Sequence, residues 1–193
     1  RKEIVKNPKH LKDLDLLLSQ TKRCSEILKK ISKAQIEEDK FISEITIKNL
    51  LVEITKSFEE ISEKKIILNV DKVKKEIPMD RSVEITYGIR NFIGNSVKFS
   101  KTRVNVDLET DSKKVKISIS DDGPGFPQDL FKRIGQPYIR SRSEYLSSKA
   151  GLGLGTFIGK TLLERKKASL EFSNLEKGGA LVTIVWRTSD III

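Results

Sequence analysis

Leu14, Leu17, Leu28 and Ile31, with Thr21 and Cys24 between them, recur at alternating steps of three and four residues, a heptad seam inside a stretch from Pro8 to about Lys33. So narrow an apolar stripe predicts a helix that pairs with another helix. A helix lying on its own domain is the alternative, and the strict spacing favours pairing. The polar stretch that follows, residues 34–46, reads as a linker. The pattern therefore divides the chain into 1–33, the linker, and a larger domain over 47–193.

In the larger domain the period changes repeatedly. Leu50, Leu51, Ile54, Phe58 and Ile61 carry helical spacing, which predicts a helix over Ile47–Ile61, and Ile66–Val70 is a short strand. A long helix is expected over Asp80–Phe99, with Pro78 ahead of it and Asp80 as its cap. Arg103–Glu109 and Val115–Ser120 alternate as strands around the polar turn 110–114. Thr156 to about Lys166 is helical, and Ser169–Ser173 and Leu181–Trp186 form strands around Gly178-Gly179. Strands interleaved with helices predict a two-layer α/β (α+β) sandwich, with neither internal repeats nor low-complexity segments.

Composition narrows the class. The chain has 193 residues, 33% of them charged and only 6% aromatic, and no apolar run approaches the roughly 20 residues needed to cross a bilayer. It begins at Arg1 without a methionine and ends on Ile191, Ile192 and Ile193, so it is expected to be a piece of a longer protein. The net charge of +10 raises the question of an anionic partner. The lysines are spread along the whole chain, and no aromatic-basic stripe of the sort that stacks bases is present, so no nucleic-acid partner is expected. Cys24 is the single cysteine, which rules out an internal disulfide and points to a reducing compartment.

Three segments carry chemistry. On the long helix, Asn91 and Asn95 stand four apart and share a face with Lys98. Amide oxygens are hard ligands suited to Mg2+ shared with phosphate, although such a pair alone also fits a solvated helix face. Ser120-Asp121-Asp122-Gly123-Pro124-Gly125-Phe126 follows a strand. Its glycines let backbone approach a ligand, and a carboxylate there can accept a hydrogen bond from an exocyclic amine; an ordinary Asp-Gly-Pro turn is the plainer alternative. Gly151-Leu152-Gly153-Leu154-Gly155 runs into a helix at Thr156, and backbone N–H groups there suit phosphate.

Two decoys fail on spacing. A dinucleotide fingerprint would need glycine where Thr156 stands, and a P-loop ending in Gly159-Lys160-Thr161 would need glycine where Leu154 stands. Between the second and third segments lies a long stretch with few helix or strand signals, carrying Lys132, Arg133, Arg140, Arg142 and Lys149. Its cations could neutralise a triphosphate; a solvated surface loop is the alternative.

The ordered set of asparagine-bearing helix, Asp-x-Gly-x-Gly and Gly-x-Gly-x-Gly resembles the asparagine box and two glycine boxes of the GHKL ATPases, most closely those of sensor histidine kinases. The resemblance covers about Ile47 to Arg187 and implies the Bergerat type of ATP-binding sandwich, preceded by a long dimerisation helix. By matching positions it implies that Asn95 holds Mg2+ with support from Asn91, that Lys98 approaches phosphate, and that Asp121 receives the adenine amino group. Gly123 and Gly125 would shape the base pocket. Gly151, Gly153 and Gly155 would let a lid close over the phosphates, with Phe99, Leu152, Leu154, Thr156 and Arg142 as further ATP contacts. Gln136-Pro137-Tyr138-Ile139-Arg140 looks like a degenerate phenylalanine box, with Tyr138 as packing anchor and Arg140 as phosphate contact.

The amino-terminal helix looks like the second helix of a dimerisation and phosphoacceptor domain, implying a homodimer. Gln20 to Cys24, the Gly-Gln-Pro-Tyr segment and Thr156 to Arg165 are similar to RegB/PrrB-type redox-responsive kinases. That narrower likeness implies a redox role for Cys24, a response regulator of the RegA type, and the cytoplasmic portion of a bacterial inner-membrane sensor. A small buried hydrophobe at a seam position is the alternative for Cys24. His10, the only histidine, lacks the acidic neighbour of a phosphoacceptor, so the acceptor is expected upstream of Arg1. The rival within the wider family is an ATP-driven dimer clamp. It needs a glutamate general base, and Glu84 lies two turns before Asn91, too far along for the usual place.

Overall fold

The computed structural model describes residues 44–137 and 154–192. Several expectations lie outside those residues: the amino-terminal helix with Cys24 and His10, the linker up to residue 43, and Tyr138, Arg140, Arg142, Lys149, Gly151, Leu152 and Gly153.

The described elements run β1 (Glu44–Thr46), α1 (Ile47–Glu59), β2 (Lys65–Val73), β3 (Pro78–Asp80), α2 (Val83–Phe99), β4 (Arg103–Thr110), β5 (Lys114–Asp121), a 3-10 turn (Phe131–Arg133), α3 (Gly155–Arg165), β6 (Ser169–Asn174), β7 (Ala180–Arg187) and a closing 3-10 turn (Thr188–Asp190). Five strands form a mixed sheet in the order β2-β4-β5-β7-β6. The β2–β4 pair is parallel, and the β4–β5, β5–β7 and β6–β7 pairs are antiparallel.

Alternation explains the two layers. Val104, Val106 and Leu108 on β4, Val115, Ile117 and Ile119 on β5, and Val182, Ile184 and Trp186 on β7 are buried, and the ladder register places Val106 opposite Ile119 and Ile119 opposite Val182. They share one core with Leu50, Leu51 and Ile54 of α1 and Ile89, Phe92 and Ile93 of α2. The strand positions between them carry polar pairs instead, such as Asn69 donating to Asp107 at 2.7 Å and Lys72 paired with Glu109 at 3.2 Å. A two-layer sandwich is therefore the observed fold, as the pattern predicts.

Helix packing is close where glycines permit it. A Cβ on Gly88 of α2 would fall 2.5 Å from Leu163 Cγ of α3, and one on Gly159 of α3 would fall 3.1 Å from Asn91 Cβ. The Trp186 indole N–H donates to the Lys166 carbonyl at 3.0 Å, pinning the end of α3 to β7.

Two expectations change. Asp80 does not cap the long helix. It closes β3, which pairs antiparallel with β1, and the cap is Ser82, whose hydroxyl accepts from the Ile85 N–H at 3.3 Å. A serine at that position satisfies a donor that the helix leaves open. Glu44–Thr46, expected as the end of the linker, pairs with Pro78–Asp80 and belongs to the same compact unit as the rest of the described residues. Thr46 also caps α1, accepting from the Asn49 N–H at 3.1 Å. Ile191 tucks back into the core at 7% exposure, so the closing apolar residues are in part packed.

Candidate functional site

Helix α2 is the scaffold, and two segments meet it. At its middle, Asn91 and Asn95 face the start of α3. A Cβ on Gly155 would lie 3.3 Å from Asn91 Oδ1 and 3.7 Å from Asn95 Oδ1. Asn91 donates its amide N–H to the Tyr87 carbonyl at 2.8 Å, and Asn95 donates to the Thr156 hydroxyl at 3.2 Å. The donors are thus engaged, and both amide oxygens lie on the α3 side. Leu154, at the cap position of α3, makes no side-chain hydrogen bond to the first N–H groups of that helix. A helix start, with its N–H groups and positive dipole end, suits a phosphate.

At the carboxyl end of α2, the Asp121 loop packs against Ser96 and Phe99. Asp121 is 5% exposed, and its Oδ1 accepts the Gly123 N–H at 2.9 Å and the Ala180 N–H at 3.3 Å. Burial pushes this carboxyl above its ordinary range, and the adjacent Asp122 charge adds to that; the two backbone donors and Ser96 pull the other way. A Cβ on Gly123 would fall 2.4 Å from the Phe99 carbonyl oxygen, so only glycine allows this approach.

Asp122 does different work. Its carboxylate gathers the N–H groups of Lys101 at 2.8 Å, Thr102 at 3.0 Å and Arg103 at 3.1 Å, together with the Thr102 hydroxyl. Desolvation opposes its ionisation, but these donors outweigh it and hold the carboxyl far below the usual range. Asp122 thereby staples the α2–β4 turn to the end of β5. The sequence singled out its neighbour and gave no hint of this role, since its partners lie about 20 residues back.

Lys98 is exposed, with its ammonium 5.8 Å from the centre of the Phe99 ring. Among the described residues no group of three or more His, Cys, Asp and Glu side chains could hold a metal ion. The amide oxygens of Asn91 and Asn95 lie beside the start of α3, and such donors suit Mg2+ shared with phosphate. A buried carboxylate, a glycine cradle and an amide pair beside a helix start fit ATP at both ends.

A family model described as "Histidine kinase-, DNA gyrase B-, and HSP90-like ATPase" matches residues 80–190, more than half of the chain. The chain belongs to this family of ATPases. Within it, the sequence is 37% identical over 129 residues to sensor histidine kinase RegB of Cereibacter sphaeroides, a match that covers 58% of this chain and 28% of that protein. The chain thus spans under a third of the relative's length. The RegB-type likeness read from short motifs is thus matched by identity over 129 residues.

Solved structures agree on the fold. The mycobacterial sensor histidine kinase MprB superposes with a TM-score of 0.61 at 20% identity, covering 75% of this chain and 97% of that one. The catalytic domain of histidine kinase ThkA gives 0.62 at 20%, covering 76% and 97%. Full-length ShkA, solved in complex with AMPPNP, gives 0.61 at 22%, covering 73% and 30%. The Bergerat-type sandwich of this ATPase domain is the architecture of histidine kinase catalytic domains.

Proposed function

We propose that this chain is the ATP-binding catalytic part of a two-component sensor histidine kinase, which transfers the γ-phosphoryl of ATP to a histidine outside this sequence for relay to a response regulator. The observation that carries the reading is one helix, α2, bearing Asn91 and Asn95 against the start of α3 while its end packs on the buried Asp121 loop. The likeness to RegB supports the kinase branch of the family.

Phosphoryl transfer asks a protein for positioning and charge neutralisation more than covalent work. Asp121 would receive the adenine amino group, and Gly123 and Gly125 would admit the base. Asn95, supported by Asn91, would hold Mg2+, with Lys98 and Arg140 towards the phosphates; Tyr138, Arg142 and Gly151 to Thr156 would complete the ATP contacts. Bound Mg2+ neutralises charge that builds on the phosphate oxygens during transfer. The acceptor is a neutral imidazole nitrogen, and closure of the glycine segment would gate the step.

The partners of the reading are a second copy of the chain, paired through the amino-terminal helix, and a response regulator of the RegA type. The chain would be the cytoplasmic portion of a bacterial inner-membrane sensor. No described helix is long and apolar enough to cross a membrane, and the reading has the membrane reached only through a segment absent from this sequence. Cys24 is the redox candidate, and a Cys24-dependent dimer on non-reducing gels after mild oxidant is its expected signature.

The clamp alternative loses its general base. Glu84 accepts from the Ser82 hydroxyl at 2.9 Å and pairs with Lys166 at 3.7 Å, at the opposite end of α2 from Ser96 and the Asp121 loop. Mixing this chain with one carrying the dimerisation helices and labelled ATP distinguishes the readings. Acid-labile, alkali-stable phosphohistidine is expected; free phosphate alone would favour the clamp, and neither product would leave a nucleotide-binding regulator.

A further inference from the structure

The β6–β7 hairpin grips the Asp121 loop at both of its ends. On the β7 side, Gly179 adopts φ +108 and lies so close that a Cβ would fall 1.9 Å from the Asp121 carbonyl oxygen, and Ala180 donates to the Asp121 carboxylate at 3.3 Å. On the β6 side, Asn174 accepts the Phe126 N–H on Oδ1 at 2.7 Å and donates from Nδ2 to the Phe126 carbonyl at 2.9 Å. That two-way bond is what a neighbouring strand would supply, made by one side chain. Gly125, at φ +79, gives it room: a Cβ there would fall 2.7 Å from Asn174 Oδ1.

Phe126 carries the constraint inward. Its ring meets Phe172 edge-on at 5.9 Å and Phe131 at 6.1 Å, and Phe172 in turn meets Phe92 at 5.9 Å. Phe92 is the neighbour of Asn91 on α2. A continuous aromatic contact therefore links the end of the Asp121 loop to the helix that bears the asparagines. Asn174 itself is exposed and outside the core, so its amide contributes little to burying apolar surface.

We propose that Asn174 is a positioning residue for the nucleotide base: by holding both polar backbone groups of Phe126 it keeps the Asp121-to-Phe126 loop in the conformation that receives adenine. This inference rests on the nucleotide-binding reading above. Without the amide, the loop must be ordered at the moment of binding, and that entropy is subtracted from affinity.

The test compares the wild-type chain, Asn174→Ala and, as a control at the hairpin tip, Glu176→Ala. Calorimetry measures ATP and ADP binding, melting of the nucleotide-free proteins follows folding, and hydrogen exchange follows the Phe126 amide. Losing two neutral hydrogen bonds predicts about tenfold weaker binding of Asn174→Ala to ATP and to ADP alike, because the defect is at the base end. The Phe126 amide exchanges at least about tenfold faster, melting falls by no more than about 6 °C, and Glu176→Ala matches wild type. Unchanged affinity in Asn174→Ala, or an affinity loss no larger than that of Glu176→Ala, overturns the proposal. So does a loss confined to ATP, or Phe126 exchange that stays slow. If the wild-type chain binds neither nucleotide, the functional reading falls, and the exchange rate alone then decides whether the brace exists.

Discussion

Replacing Asp121 with asparagine separates the ligand-binding role of this carboxylate from its structural one. The amide oxygen of the new side chain can keep the Gly123 and Ala180 N–H bonds now made to Oδ1 at 2.9 and 3.3 Å, so the loop has no reason to move. The other terminus changes from acceptor to donor. An amino group on adenine would then meet a donor, losing a hydrogen bond to a charged acceptor, which is worth about 1.5–3 kcal/mol. At about 1.4 kcal/mol per decade, ATP binding should weaken about tenfold to a hundredfold.

Folding should respond in the opposite sense. The Asp121 carboxyl is raised in the folded state, mainly by burial. A group with a raised folded value favours the fold when protonated, and that contribution is lost as pH rises through the folded value. At neutral pH the ionised Asp121 is therefore a burden on the fold that asparagine removes, and the nucleotide-free variant should melt no lower than wild type. Calorimetric titration with Mg-ATP, alongside melting of the free proteins, reads both effects. Wild-type affinity in Asp121→Asn, or a fall in melting temperature parallel to the fall in affinity, would contradict the adenine-binding role of Asp121.

Three further outcomes follow from the packing. Gly125→Ala forces a side chain into left-handed backbone at φ +79 and against Asn174, so it should cost about 1–3 kcal/mol in urea unfolding and weaken ATP binding as well. Gly88→Ala drives a methyl to within 2.5 Å of Leu163 and should destabilise by about 1–3 kcal/mol despite the better helix propensity of alanine. Combined with Leu163→Ala, it should cost less than the sum of the two single changes, which a double-mutant cycle measures. Asp122 is held far below its ordinary value, so its contribution is present above the unfolded carboxylate range and is lost as pH falls through the folded value. Acid unfolding of Asp122→Ala should accordingly show a shallower decline below about pH 4 than wild type, and identical profiles would contradict the staple.

What could be read from the sequence was what depends on near neighbours. The alternation in β4 and β5 and the helical spacing of Leu50, Leu51 and Ile54 are signals within a few residues, and each produced its element to within a residue or two at most ends. The asparagine pair and the glycine-rich segments stood out because each is a pattern within a few residues. Short elements were not visible. The strand Pro78–Asp80 buries only Met79, and one buried residue sets no period; what makes it a strand is pairing with Glu44–Thr46 in a distant part of the chain. The same distance hid the cap, since Asp80 and Ser82 are both acceptable cap residues and tertiary pairing of Asp80 decided between them. Asn174 and Asp122 escaped for a related reason: each looks like an ordinary turn residue, and its partners, 48 and about 20 residues away, are adjacent only after folding.

The most direct measurement is the structure of this chain with Mg2+ and a non-hydrolysable ATP analogue. The adenine amino group is expected within hydrogen-bonding distance of the Asp121 carboxylate and the metal ion on the Asn95 side-chain oxygen, with phosphates at the start of α3. A nucleotide bound elsewhere, or one whose base avoids Asp121, would contradict it.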